Sequence, residues 1–122
     1  KFMRDATRGG IATILCELTE KNNLGIEIDE SKIAINENVR GMCELLGFDP
    51  FYVANEGKII LIASVEEVDK IISVMKQNEF GKNSSVIGEV VDNHKGKAVL
   101  KTGIGKKRII DMLADEQLPR IC

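Results

Sequence analysis

The order in which helical and extended patterns follow one another is the feature of this sequence that most restricts its fold. Three segments repeat apolar residues at spacings of three and four, as one face of an amphipathic helix does, at residues 11–18, 39–46 and 68–75. Short strand-like segments occupy residues 24–28, 59–63, 86–91, 98–100 and 108–110. Because helices do not alternate strictly with strands, the pattern predicts an α+β fold, an α/β sandwich in which a mixed or largely antiparallel sheet packs with helices.

The segment between the second and third predicted helices carries the strongest strand signal. Its apolar run, Ile-Ile-Leu-Ile-Ala at residues 59–63, is typical of a strand buried on both faces. Ser64 and Glu67 follow with the spacing of a capping box, which predicts the start of the third helix. Ile33 and Ile35 suggest a further short extended piece before the second helix.

Composition narrows the class of protein. The chain has 122 residues, 43% of them hydrophobic and 30% charged, which fits one soluble domain with a single core. A net charge of −2, no tryptophan and one tyrosine offer no basic or aromatic surface for nucleic acid. No apolar run approaches the roughly 18 residues of a membrane span, so we expect a cytoplasmic protein without a membrane anchor. Lys1 in place of an initiator methionine suggests part of a longer protein.

The cysteines and the single histidine give no metal-site pattern. Cys16, Cys43 and Cys122 are odd in number and have no C-x-x-C spacing, so neither a disulfide framework nor a zinc site is predicted. Cys16 and Cys43 lie on apolar helix faces and are expected in the core. His94 stands alone in a polar turn and is expected at the surface. We therefore predict no metal ligand.

Cys122 is the last residue of the sequence and follows a polar stretch. Residues 113–122 contain few core residues and are predicted to form a mobile tail. Eight extended residues from Asp115 onward can span up to about 26–29 Å, enough to reach a site elsewhere. A free thiol with a pKa near about 8.5 is only a few per cent thiolate at neutral pH, so its activation must come from elsewhere. The alternative is an exposed thiol without a role.

A polar motif, DATRGG, opens the first predicted helix. Gly9 and Gly10 leave backbone N–H groups at the positive end of the helix dipole, a favourable place for phosphate. Thr7 flanks the glycines with Asp5 and Arg8, and Arg8 supplies the cation that a phosphate site needs, while Asp5 supplies the carboxylate that a metal-bound phosphate needs. The alternative is that the glycines only make a tight turn into the helix.

A second motif, ANEGK, ends where the apolar run begins. Glu56 is predicted at the edge of a rigid strand, where partial burial would raise its pKa towards that of a general base. The alternative is a turn carboxylate paired with Lys58.

Three motifs together resemble a known family. DATRGG at residues 5–10, ANEGK at residues 54–58 and PRIC at residues 119–122 are similar to the C-terminal domain of the HypE hydrogenase maturation factors, in the aminoimidazole ribonucleotide synthetase-like superfamily. The resemblance covers essentially the whole chain. DATRGG alone leaves selenophosphate synthetase and thiamine monophosphate kinase relatives open, whereas the ending Arg-Ile-Cys is specific.

The resemblance implies a carrier and an enzyme in one protein. Residues 1–112 would form the synthetase-like domain, and the N-terminal domain that holds most of ATP and Mg²⁺ would be absent from this chain. Cys122 would accept a carbamoyl group from HypF, ATP-dependent dehydration would give a thiocyanate, and the cyanide would pass to the HypC and HypD complex for nickel-iron hydrogenase. Glu56 would handle protons, Asp5, Thr7 and Arg8 would face the nucleotide phosphates or the reacting group, and Gly9 and Gly10 would also bind the nucleotide. The full-length protein would be a homodimer.

Two other functions stay open at this point. Another ATP-dependent synthetase or kinase of the superfamily would need no covalent carrier. A non-enzymatic interaction module would use DATRGG only as a helix entry. If Asp5, Arg8 and Glu56 converge on a groove that the tail can reach, the enzyme is favoured; if they lie far apart, the module is favoured.

Overall fold

The computed structural model describes residues 1–114, so Cys122 and the predicted tail from residue 115 onward lie outside the described residues. Three α-helices form within them: α1 (Gly10–Asn22), α2 (Glu37–Leu46) and α3 (Val65–Gln77). The strands are β1 (Phe2–Asp5), β2 (Gly25–Asp29), β3 (Ile59–Ile62), β4 (Gly88–Val91), β5 (Ala98–Lys101) and β6 (Lys107–Ile110). Short 3₁₀ turns occupy Glu30–Lys32, Pro50–Tyr52 and Glu79–Gly81.

The strands form two sheets. The larger sheet has the order β4-β2-β5-β6, in which β2 and β5 are parallel and the outer pairs are antiparallel. The smaller sheet is the antiparallel pair β1–β3. The predicted α+β class with a mixed sheet is therefore confirmed. None of the helices within residues 1–114 has the length and hydropathy needed to cross a lipid bilayer.

Helix α1 builds the core on both sides. Leu15 and Leu18 pack with Ile26 and Leu100 of the larger sheet, because these apolar residues share the helix face turned to that sheet. Ile14 belongs to a second cluster with Ala6 and with Ile60 of β3. Helix α1 thus joins the two sheets and fixes the position of the segment that precedes it.

The apolar run at β3 is not buried on both faces, and that prediction is wrong. Ile60 is 8% exposed, whereas Ile59 is 50% and Leu61 is 37% exposed. Strand β3 pairs only with β1, and no other layer within residues 1–114 covers the outer face of this pair. Strand β1 was not predicted from the sequence, because its polar residues interrupt the apolar pattern that would indicate a strand.

Helix α2 forms as predicted, but its apolar face is largely open. Cys43 is buried as expected, at 6% exposure, while Met42 is 57% and Leu46 is 54% exposed. Of the predicted extended piece at Ile33 and Ile35, Ile33 has an extended backbone, with φ −91° and ψ 118°, and is buried. It follows a 3₁₀ turn and joins neither sheet.

Two further local predictions can be compared with the structure. Helix α3 begins at Val65 as expected, but the Ser64 hydroxyl donates to the Glu67 carboxylate at 2.9 Å instead of capping a backbone N–H. His94 is exposed in its turn, and its Nε2 lies 3.2 Å from Glu27 Oε1. His94 therefore lies at the surface of the larger sheet, as expected.

Cys16 is buried, and its thiol donates to the Ile110 carbonyl oxygen at 3.2 Å. Burial, with the nearby carboxylates of Glu20, Asp111 and Glu17, raises the pKa of this thiol from 9.0 to about 11. The contribution of the protonated Cys16 thiol to the free energy of unfolding is fully present below about pH 9 and is lost as the pH rises through about 11. The reason is that the thiol of the unfolded chain loses its proton at a lower pH than the thiol of the folded chain.

We therefore expect alkaline pH to destabilise the chain partly through Cys16. Between about pH 9 and 11, its free energy of unfolding should fall by up to about 2–3 kcal/mol more than that of Cys16→Ala. Urea unfolding of both proteins under reducing conditions over this range measures the difference. An equal fall in the free energy of unfolding of the two proteins over this pH range would contradict the assignment of the effect to Cys16.

Candidate functional site

The DATRGG segment links the small sheet to the central helix. Asp5 ends β1, Ala6 is fully buried, and α1 begins at Gly10. Thr7 and Arg8 lie in the turn between them and are exposed. The segment is held in place because β1 pairs with β3 on one side and α1 enters the core on the other.

The two sequence motifs meet at Ala6. The Ala6 N–H donates to the Lys58 carbonyl oxygen at 3.0 Å, and the Asn55 N–H donates to the Ala6 carbonyl oxygen at 2.9 Å. Asp5 lies directly opposite Ile59 in the β1–β3 pair. The turn that carries Glu56 is thereby bonded to the residue that follows Asp5, although the motifs are about fifty positions apart in sequence.

The polar side chains of the two motifs are open to solvent. Asp5, Thr7, Arg8 and Glu56 are exposed, and within residues 1–114 none of them forms a side-chain hydrogen bond or ion pair. Their charges and hydroxyl group therefore remain available to a ligand. The partial burial predicted for Glu56 is absent from this domain.

Glu56 is also not paired with Lys58, as the alternative supposed. The Lys58 ammonium group donates to the Ala34 carbonyl oxygen at 3.2 Å. Lys58 thus ties the turn to the segment before α2, and Glu56 is left at the surface of a turn whose backbone is fixed.

The two glycines of DATRGG have a structural reason of their own. Gly9 and Gly10 have φ values of 64° and 66°, in the left-handed region that side chains disfavour. A Cβ atom at Gly9 would overlap the Thr13 side chain, and one at Gly10 would overlap the carbonyl oxygens of Phe51 and Val53. The tight turn is therefore real, and phosphate binding at this helix start stays a prediction.

The small sheet has an inner and an outer face. Phe2 and Ile60 face the core, and alternation along the strands places Met3, Asp5, Ile59 and Leu61 together on the outer face. Asp5 thus lies at the end of an exposed apolar strip, since Met3 is 67% exposed. The candidate site is open on this side.

A trough runs from the second motif along α2. Its narrow end, a cleft of about 80 Å³, is lined by Asn55 and Lys58 together with Ile11, Ile35, Asn36, Val39, Pro50 and Val53. Its wide end, about 290 Å³, is apolar and is lined by Asn38, Val39, Met42, Cys43, Leu46, Phe48 and Val53. Val39 and Val53 line both cavities, so the two lie side by side along α2. Sequence reasoning missed this feature because it assigned the apolar face of α2 to the core.

The described residues do not form a metal centre. Within residues 1–114, no group of three histidine, cysteine, aspartate or glutamate side chains is placed to hold an ion. Asp5 alone is exposed beside the Thr7–Gly10 turn and supplies a single carboxylate. These residues therefore do not fit a Mg²⁺ site on their own.

Known proteins share this sequence and fold. The family described as AIR synthase related protein, C-terminal domain, matches residues 1–101. A putative hydrogenase expression/formation protein of Methanocaldococcus jannaschii is 40% identical over 120 residues, which cover 98% of this chain and 35% of that protein. Carbamoyl dehydratase HypE of Cupriavidus necator is 40% identical over 122 residues, which cover 100% of this chain and 35% of that protein.

Solved structures agree with these relatives. Hydrogenase maturation protein HypE in complex with ATP has a TM-score of 0.89 and 38% identity, covering 98% of this chain and 37% of that one. A HypE–HypF complex gives a TM-score of 0.85 and 38% identity, covering 91% and 36%. The chain spans 35% of the length of the two curated relatives. It belongs to the AIR synthase related family as a C-terminal domain, in the form found in HypE proteins.

Proposed function

We propose that the full-length protein containing this chain carries a carbamoyl group on Cys122 and uses ATP to dehydrate it to a thiocyanate, the source of the cyanide ligand of nickel-iron hydrogenase. The observation that carries the proposal is the convergence of residues 5–10 and 54–58 through the two backbone hydrogen bonds of Ala6. The relative from Cupriavidus necator, named carbamoyl dehydratase HypE, supports the reaction type.

The reaction needs an activated oxygen and a proton acceptor. The amide oxygen of the S-carbamoyl group attacks the γ-phosphorus of ATP, and ADP leaves. Phosphate then departs with that oxygen as both protons leave nitrogen and the carbon–nitrogen triple bond forms. Phosphorylation is required because oxygen in an amide is a poor leaving group, and positioned donors stabilise the charge of the transferred phosphoryl group.

The exposed side chains of the two motifs suit these two tasks. Arg8 and the Thr7 hydroxyl are donors for phosphate oxygens beside the Gly9–Gly10 turn, and Asp5 lies on the outer face next to them. Glu56 is the proton acceptor for nitrogen, since a carboxylate can receive those protons at neutral pH. Because Glu56 is exposed in this domain, we assign the closure of the site to the rest of the protein.

ATP and Mg²⁺ bind mainly outside these 122 residues. The solved HypE structure with ATP supports nucleotide binding by the full-length protein. Within residues 1–114 the two motifs offer the exposed carboxylates of Asp5 and Glu56 but no group of three metal-ligand side chains, so we assign the Mg²⁺ ligands mainly to the part of the protein beyond this chain. Bound Mg²⁺ would neutralise phosphate charge during transfer.

We propose one partner that loads the group onto sulfur and another that receives the cyanide. The solved HypE–HypF complex supports HypF as the carbamoyl donor. The motif resemblance adds the HypC and HypD complex as the cyanide acceptor and a homodimer as the full-length form. These steps would take place in the cytoplasm.

The test is the intact mass of the full-length protein after incubation with HypF, its carbamoyl source and ATP. We expect an adduct of one carbamoyl group that subsequently loses the mass of one water and maps to Cys122. An unmodified Cys122, with the partner enzyme active on another HypE protein, would overturn the proposal.

We further expect the 122-residue chain alone to fold but to show little or no ATP-dependent dehydration. It contains the two motifs, yet the outer face beside Asp5 is uncovered and the domain lacks a metal site within residues 1–114. Circular dichroism checks the fold, and phosphate release with a pre-carbamoylated chain checks the activity. ATP-dependent water loss from the isolated chain would show that the site is complete without a second domain.

A further inference from the structure

Arg4 is a charged residue at an inward-facing position of the small sheet. It lies directly opposite Ile60, which is 8% exposed and packs with Ile14 of α1. Because side chains alternate along a strand, Arg4 shares this inner face with Phe2, while Asp5 lies on the outer face. A guanidinium group at such a position is unfavourable unless a partner satisfies its charge and its N–H donors. The partner of Arg4 therefore indicates its role.

That partner is Glu17 on α1. The Arg4 Nη1 atom donates a hydrogen bond to Glu17 Oε2, and the two side chains form an ion pair in which they are 45% and 41% exposed. Glu17 lies about two helical turns after Gly10, where α1 begins. The pair therefore joins the strand before the DATRGG turn directly to the helix after it.

The same side of α1 also contacts the turn itself. Thr13 precedes Glu17 by four residues, so the two side chains are neighbours on the helix surface. The Thr13 side chain packs against Gly9, where an added Cβ atom would overlap it, and the Thr13 N–H donates to the Gly9 carbonyl oxygen at 3.4 Å. Arg4 and Gly9, on the two sides of the turn, are thus held by adjacent residues of one helix face.

The ion pair supplies a constraint that the apolar contacts do not. Ala6, Ile14 and Ile60 hold the small sheet against α1 through apolar packing, which is not directional. A charge-assisted hydrogen bond between a guanidinium and a carboxylate fixes both distance and orientation. The Arg4–Glu17 pair therefore restricts how far β1 can shift along α1.

Pairing also divides the cations of residues 1–10 by role. Lys1 pairs with Glu67 at 2.6 Å, and Arg4 pairs with Glu17. Arg8 is exposed and, in the part of the chain that the structure describes, forms no side-chain hydrogen bond or ion pair. Arg8 is thus the cation available to a phosphate group, whereas Arg4 is held on α1.

We propose that Arg4 and Glu17 are positioning residues for the DATRGG turn. Their ion pair sets the position of β1 along α1 and thereby the position of Arg8 and of the Gly9 backbone. A partly exposed pair adds little to overall stability, but a displacement of about 1 Å near a reacting centre can lower a rate about 10²-fold. The role in the reaction rests on the proposed function, whereas the effect of the pair on the turn does not.

The test is a double-mutant cycle in the full-length protein. Arg4→Gln and Glu17→Gln should each lower the single-turnover dehydration rate of the carbamoylated protein about fivefold at saturating ATP, because the turn then also occupies misplaced positions. The double variant should be no slower than either single variant, since both remove the same contact. The reversed pair, Arg4→Glu with Glu17→Arg, should recover most of the rate.

The matched control is Glu20→Gln. Glu20 lies on the same helix, is exposed, is near Cys16 as Glu17 is, and forms no ion pair within residues 1–114. This variant removes the same charge from α1 and should keep the rate within about twofold. A loss in Glu20→Gln as large as that in Glu17→Gln would assign the effect to helix charge and overturn the proposal.

The cycle also tests whether Arg4 binds phosphate directly. In that case Glu17→Gln would release Arg4 and would keep or raise both the rate and the affinity for ATP, while Arg4→Gln alone would lower them. That pattern would overturn the positioning role. A reversed pair as slow as the single variants would overturn it as well.

Hydrogen exchange separates this inference from the proposed function. Peptides covering residues 5–13 should exchange their backbone amides faster in Arg4→Gln and Glu17→Gln than in the unaltered protein or Glu20→Gln, and the reversed pair should restore slow exchange. Faster exchange without any dehydration by the unaltered protein would leave the positioning intact and refute the reaction. Unchanged exchange and unchanged dehydration in all variants would refute the positioning alone.

Discussion

Replacing Cys122 by serine in the full-length protein is expected to abolish carbamoyl loading and, with it, all cyanide formation. In the proposed reaction the sulfur is the atom to which the carried group is bonded, and a serine hydroxyl is far less nucleophilic than a thiolate at neutral pH. Intact mass after incubation with HypF, its carbamoyl source and ATP measures the loss. No partial activity is expected, because no later step can begin without the adduct.

The other cysteines provide the internal control for this result. Cys16 and Cys43 are buried in the described structure, so peptides containing them should remain unmodified in both proteins. A carbamoyl adduct that persists in Cys122→Ser would place the acceptor elsewhere. Full ATP-dependent turnover without Cys122 would instead favour a synthetase or kinase that acts on a free small molecule.

The helices and the larger sheet could be predicted because their signals are local. Apolar spacing in α1 reports the face that packs on the sheet, and Leu15 and Ile26 are indeed buried together. The α+β class follows from the order of such segments. Strand β1 was not predicted, because Arg4 and Asp5 interrupt its apolar pattern. Its pairing with β3 also depends on residues more than fifty positions away.

Exposure was predicted less well than secondary structure. Ile59, Leu61 and Met42 are as apolar as core residues, yet they are exposed in this domain. An apolar side chain favours burial but is often found exposed, and the local sequence does not say whether any covering surface comes from the same domain. The proposed cover of the outer face is the remainder of the full-length protein.

The residue types of the candidate site could be predicted from the sequence, but the burial of their side chains could not. The motifs identified Asp5, Arg8 and Glu56, and the backbone hydrogen bonds of Ala6 bring their segments together. Glu56 is exposed and not partly buried as expected, because the turn that carries it lies at the domain surface. Desolvation of a side chain depends on every neighbour in space, and a five-residue motif contains only a few of them.

Replacing Glu56 by glutamine is expected to block dehydration while leaving carbamoyl loading intact. Glutamine keeps the size and hydrogen-bonding shape of the side chain but cannot accept a proton from nitrogen. Removal of a general base typically lowers the rate about 10²–10⁴-fold. Single-turnover conversion of pre-carbamoylated full-length protein, followed by intact mass after ATP addition, measures this step apart from loading.

Two comparisons show whether the lost rate belongs to proton transfer. Glu89→Gln removes an exposed carboxylate from β4, away from both motifs, and should leave the rate within about twofold, as surface substitutions usually do. Glu56→Asp keeps a carboxylate one methylene shorter and should retain part of the rate. If Glu56→Gln instead impairs loading by HypF as strongly as dehydration, Glu56 acts in partner recognition, and the proton acceptor must be sought outside the two motifs.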